Sequence, residues 1–152
     1  MSSVTYQVEQ YSEVLPELKV MYPEHYEELE QEVGGGYELD PDWSQYFALE
    51  QSGMLHVITC RKEGRLIGYM YYIVSRHLHV KSCVTAYEDI YFLRKEHRKG
   101  RIGINLFKFA EQYLKSIGVN KVLCSTKVHS DNSKLLQYLG YSFVEKLFSK
   151  YL

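Results

Sequence analysis

Between Leu93 and Asn105 the chain gathers His97, Arg98, Lys99 and Arg101 around Gly100 and Gly103, where a β-like run gives way to an amphipathic helix. The first N–H groups of a helix have no intrahelical partner, and the helix dipole makes that end positive. Arginine and lysine placed there add charge and directed donors, while glycine lets a ligand approach the backbone. The chemistry served by this combination is the holding of phosphate. No Lys-Ser/Thr pair of a Walker loop is present, and no acidic residue stands where a dinucleotide fold needs one.

Such a loop works only if a strand delivers it and a helix starts on it. Cys83–Leu93 reads as that strand. Ile102, Leu106, Phe109, Ala110, Tyr113 and Ile117 keep helical spacing until Gly118. Upstream, Met54–Arg61 and Arg65–Ser75 form a hairpin turning at Lys62-Glu63-Gly64. Val4 to Val8 alternates like a first strand. Ser12 caps a short helix carrying Leu15, Leu18 and Tyr22, which Pro23 interrupts. Tyr26, Leu29 and Val33 continue as a second helix up to the glycines at 34–36. Asp40-Pro41 opens a third, with Trp43, Phe47 and Leu49, stopping at Gly53. Downstream come a strand at Lys121–Lys127, a short helix at Ser133–Leu139 and a last strand at Tyr141–Phe148. This order predicts one α/β domain over residues 1–152, with a central mixed sheet flanked by helices.

The composition, 45% apolar and 24% charged, is ordinary for a globular protein. Nothing near the start resembles a signal peptide, and no apolar run approaches the ~20 residues of a membrane span. Cys60, Cys83 and Cys124 fall in predicted strands without metal-like spacing, so reduced core thiols in a cytoplasmic protein are expected, with no metal. His77 and His79 lack a third ligand nearby and read as a surface loop. Charge is divided along the chain. Residues 1–53 hold twelve Asp/Glu and the single Lys19, a net −11, and the remainder carries +10. An acidic segment beside a basic one suggests partners of opposite charge. The basic residues concentrate at one loop rather than along a face, which argues against nucleic acid.

The layout, with Arg98-x-x-x-Ile102-Gly103 opening the central helix and a late "LLQYLGY", resembles the GNAT superfamily of acyl-CoA N-acyltransferases. The resemblance covers nearly the whole chain and is clearest over residues 83–145. The ending "TKVHSDNSKLLQYLGYSFVEKLFSKYL" is similar to small members often encoded by bacteriophages. The family motif is Arg/Gln-x-x-Gly-x-Gly/Ala, whose backbone N–H groups hold the pyrophosphate of coenzyme A. Arg98 and Gly103 agree with it, whereas Arg101 replaces the first glycine. Either Gly100 supplies the lost freedom one position early, or Arg101 turns outward to pair with a phosphate.

The resemblance implies a sheet that is mostly antiparallel and splayed at the cofactor site. It implies acetyl-CoA as acyl donor, held by Phe92, Leu93 and Arg94 at the strand end, by Arg98, Lys99, Gly100, Arg101, Ile102 and Gly103 in the loop, and by Asn132. The Leu93 N–H then polarises the thioester carbonyl. For the base, alternation puts Tyr87, Asp89, Tyr91 and Leu93 on one face, which favours Asp89. Glu88 comes second, because a bulge would exchange the faces. A Glu-Asp pair in mid-strand among aromatics is costly to bury without a purpose. The family's acidic Tyr falls on Leu136 here, which leaves Tyr138, His129 or water to protonate the thiolate.

The expected function is direct acetyl transfer to a primary amine, on a small molecule or a protein. The acidic segment and its tyrosines favour a cationic acceptor: protein lysine, polyamine or aminoglycoside. The alternative is a catalytically weak acyl-CoA-binding regulatory or host-interacting module. No membrane partner is expected, and a homodimer stays open.

Overall fold

The computed structural model describes residues 3–30 and 37–152. One five-stranded sheet runs in the order β1 (Val4–Glu9), β2 (Leu55–Lys62), β3 (Arg65–His77), β4 (Val80–Leu93), β5 (Lys121–Leu123). The first four strands are antiparallel neighbours, and β5 lies parallel to β4. Helices α1 (Tyr11–His25) and α2 (Trp43–Gln51) precede the β2–β3 hairpin; α3 (Ile102–Ser116) and α4 (Ser133–Tyr138) flank β5 in sequence.

The sheet separates two cores. Tyr11, Val14, Leu18, Tyr69, Tyr71 and Phe92 belong to the α1 side. Ile58, Met70, Leu93, Leu106, Phe107 and Leu114 belong to the α3 side. The predicted strands of the hairpin and the α3 helix stand within two residues of their observed ends. Pro23 does not interrupt the first helix: α1 runs through both Pro16 and Pro23 and passes into a π-helical turn, Tyr26–Glu30. Burial of Leu18, Tyr22 and His25 against the sheet outweighs the hydrogen bond that proline removes. Gln10, not Ser12, stands at its N-terminus. The helix end expected at the glycines 34–36 lies outside the described residues. α2 begins two residues after the predicted Pro41 start, because the Asp42 carboxylate accepts the Gln45 N–H at 2.9 Å and sets the cap there.

Two strands differ from expectation. β5 pairs only over Lys121–Leu123, against Thr85–Tyr87, rather than to Lys127. Tyr141–Phe148 forms no strand. Its large apolar residues come in adjacent pairs, Phe143-Val144 and Leu147-Phe148, all exposed. Adjacent pairs cannot present one apolar face at a period of two.

Candidate active site

The site is built where β5 leaves β4. Pairing between them ends at Tyr87 with Leu123, and β4 runs on to Leu93 with no strand on that side among the described residues. The Arg94 N–H donates to the Ile67 carbonyl at 2.9 Å. Alternation therefore turns the Leu93 peptide groups to the open edge. There Arg98 Nε donates to the Leu93 carbonyl at 2.7 Å, which ties the basic loop to the strand end.

Gly100 has φ +74°, while Arg101 has an ordinary φ of −108°. Gly100, one position before the missing family glycine, turns the chain into α3. The Asn105 N–H bonds the Arg101 carbonyl at 2.9 Å, so the amides of Ile102, Gly103 and Ile104 precede the first helical bond. A Cβ on Gly103 would lie 2.9 Å from the Tyr91 hydroxyl, so the start of α3 packs closely on β4. Free amides, arginines on both flanks and an open strand edge together fit a pyrophosphate. The Arg98 guanidinium also pairs with Glu28 and lies over the Phe92 ring, 5.8 Å from its centroid. Arg94 pairs with Glu24 at 3.4 Å. Asn132, the cap of α4, donates its N–H to Thr126 Oγ1 at 2.6 Å.

The two strand carboxylates occupy opposite faces. Tyr72 stands opposite Glu88 and Tyr71 opposite Ile90, so Asp89 is the extra residue of a β-bulge. Before it, Ala86 and Glu88 face the α3 side; after it, Ile90 and Phe92 face α1 while Tyr91 and Leu93 face α3. Simple alternation had put Asp89 with Leu93; the bulge puts Glu88 there instead. Glu88 is 7% exposed, and its pKa is pushed up to about 7, chiefly by burial and further by the charges of Asp89 and Glu30, against a lowering contact with Cys124. Asp89 is exposed and accepts a hydrogen bond from the Tyr46 hydroxyl at 2.7 Å.

On the α1 side a cavity of about 410 Å³ opens over Asp89. Its lining includes Glu30, Asp42, Tyr22, Tyr26, Tyr46 and Ile90. The Tyr22 hydroxyl donates to the Tyr71 hydroxyl behind it. Neither expected proton donor lines this cavity, and Tyr138 stands beside Arg101 of the basic loop. Tyr138 is exposed, its phenol held below the usual value by Arg101. His129 is exposed in the turn closed by the Lys127–Ser130 bridge. Leu136, in the family's tyrosine position, packs into the α3-side core. Sequence reasoning missed His25, Cys124 and Tyr141. Cys124 lies at the Glu88 carboxyl, and the buried Tyr141 hydroxyl, near Cys124 and Glu111, makes no hydrogen bond of normal geometry. The "LGY" motif located Tyr141 without giving it a role.

A splayed sheet, an amide-lined helix start and a buried carboxyl on β4 where the splay begins fit an acyl-CoA-dependent transferase. The model of the acetyltransferase (GNAT) family matches residues 13–141. The chain belongs to that family and is an acetyl-CoA-dependent N-acetyltransferase. Its fold is similar to an aminoglycoside acetyltransferase from an uncultured soil metagenomic sample in complex with sisomicin, with TM-score 0.75, 13% identity and coverage of 98% of this chain and 95% of that one. It is also similar to a ribosomal-protein-alanine N-acetyltransferase from Brucella melitensis biovar Abortus, with TM-score 0.74, 14% identity and 99% of each chain covered. A predicted acetyltransferase with acetyl-CoA from Clostridium acetobutylicum gives TM-score 0.71 at 10% identity, over 98% of this chain and 96% of that one. No curated protein matches the sequence. Among the described residues no helix is long and apolar enough to cross a membrane.

Proposed function

We propose that this enzyme acetylates a primary amine of a cationic acceptor, by direct attack in a ternary complex, with Glu88 as proton acceptor and Asp89 as the anchor for the acceptor's charge. The observation that carries this is the bulge at Asp89. It sends one carboxylate into the acidic, aromatic cavity and leaves the other, with pKa about 7, on the face of Leu93 at the splay. An ammonium must lose a proton before its nitrogen can attack, and a base poised near neutrality serves best. The nitrogen then bonds to the thioester carbon while the outward Leu93 N–H polarises the carbonyl. As the carbon–sulfur bond breaks, the nitrogen gives up its second proton, which water relays to the departing thiolate. Arg98, Lys99, Arg101 and the amides of Ile102 and Gly103 hold the donor's phosphates. Tyr22, Tyr26 and Tyr46 offer ring faces to the acceptor cation.

The test is a pair of conservative variants. Glu88→Gln should lower kcat about a hundredfold with acetyl-CoA affinity kept. Asp89→Asn should act mainly on the KM of the amine. A large kcat loss in Asp89→Asn with Glu88→Gln unaffected would return the base to Asp89.

A further inference from the structure

Behind the acceptor cavity lies a buried hub. His25 is 1% exposed, and both ring nitrogens are engaged: Nδ1 with the Tyr69 hydroxyl at 2.9 Å, Nε2 with Glu30 Oε1 at 3.2 Å. The Phe92 ring stacks on the imidazole, with centroids 5.0 Å apart and 19° between planes. With its rotation and its nitrogens both fixed, His25 fixes the Glu30 carboxylate in the cavity wall. The second Glu30 oxygen faces Lys127 Nζ at 3.3 Å. Burial alone would raise this carboxyl's pKa, but the His25 bond and the Lys127 charge outweigh it, so Glu30 stays ionised at neutral pH.

The cavity lining therefore holds three carboxylates of different character: Asp42, tied to the start of α2 as its cap, Asp89 at the bulge beside the splay, and Glu30 on the His25 hub. Leu39, Leu49, Ile73 and Ile90 contribute apolar lining to the same cavity. We propose that Glu30, positioned by His25, selects a second ammonium group, so that the acceptor is a linear diamine or polyamine bound between Asp89 and Glu30. The proposal rests on the acetyl-transfer reading and narrows its substrate class. A methylene chain between two ammonium groups suits a cavity whose lining combines aliphatic side chains with carboxylates. A protein lysine brings one charge only. Lys127, partly exposed, is the acceptor's competitor for Glu30, and half-exposed ion pairs are weak enough to exchange.

The experiment is calorimetry on the full chain with coenzyme A present, where no acyl group is available and no turnover occurs. Cadaverine is compared with pentylamine, its analogue of one charge. Cadaverine should bind about tenfold or more tightly than pentylamine, as expected for a second partly desolvated ion pair. Glu30→Gln should bring that ratio close to one, and His25→Phe should lower it, each weakening cadaverine far more than pentylamine. Lys127→Ala, a surface change that keeps the fold, should raise cadaverine affinity and leave pentylamine alone. Equal binding of the two amines by the native protein, or a ratio that survives Glu30→Gln, would overturn the proposal. The acetyl-transfer reading fails separately, if no amine releases thiol from acetyl-CoA.

Discussion

Glu88 and Asp89 are adjacent in the chain, yet one is buried toward α3 and the other opens on the α1-side cavity. Both acids were legible in the sequence as an oddity in an aromatic strand. Their faces were not, because Ile90, Tyr91, Phe92 and Leu93 are all apolar and fit either side of a sheet. Only the register with Tyr71 and Tyr72 separates them. His25 was illegible for another reason: a lone histidine near a helix end gives no sign of its long-range partner Tyr69. Burial lifts the Glu88 carboxyl from its ordinary 4.5 to about 7, so the folded state holds this proton more tightly than the unfolded chain. The resulting cost is absent below 4.5, grows through the interval and is complete above about 7. Glu88→Gln should therefore raise Tm over the native protein near pH 8 and not near pH 4, by thermal unfolding at each pH. An offset of equal size at both would assign the effect to packing instead. The native rate should rise with pH and level off above an inflection near 7.

At the scale of elements, the basic loop and the start of α3 were readable because capping, glycine and helical spacing are local signals. The short β5, the bulge and the lack of a strand over Tyr141–Phe148 depend on pairing between distant residues, which local pattern does not encode. Glycine explains two of the contacts that hold the elements together. A Cβ at Gly68 would sit 2.8 Å from the Phe92 carbonyl oxygen and 2.9 Å from a Leu93 methyl. Gly68→Ala should cost roughly 1–3 kcal/mol, read from the denaturant midpoint, since backbone there cannot yield cheaply. Gly103→Val places a branched side chain against Tyr91 at the start of α3. The protein should stay folded while acetyl-CoA no longer raises its Tm. Undiminished stabilisation by acetyl-CoA in that variant would take the loop out of the cofactor site.

Across the whole molecule, the division between an acidic first third and a basic remainder resolves into contacts. Arg61 bridges Glu9 and Glu17, and Glu24, Glu28 and Glu30 meet Arg94, Arg98 and Lys127. Sequence charge counts showed the asymmetry but not that much of it is satisfied internally. Three carboxylates line the cavity: Glu30, shared with Lys127, and Asp42 and Asp89. The KM for a cationic amine should therefore rise with salt, with screening over ~8 Å at physiological ionic strength. An acidic acceptor used equally well, at a KM indifferent to salt, would show these carboxylates to be solvated surface only. The fold class was legible from element order alone, and the family match over residues 13–141 agrees with it. The most direct test of the account is thiol release from acetyl-CoA over a panel of neutral, acidic, singly cationic and doubly cationic amines, with Glu88→Gln beside the native chain. The account predicts release that is fastest with the doubly cationic amines and nearly abolished in Glu88→Gln. Acetyl-CoA that binds and raises Tm but releases no thiol with any amine would contradict it, and would leave an acyl-CoA-binding module in place of an enzyme.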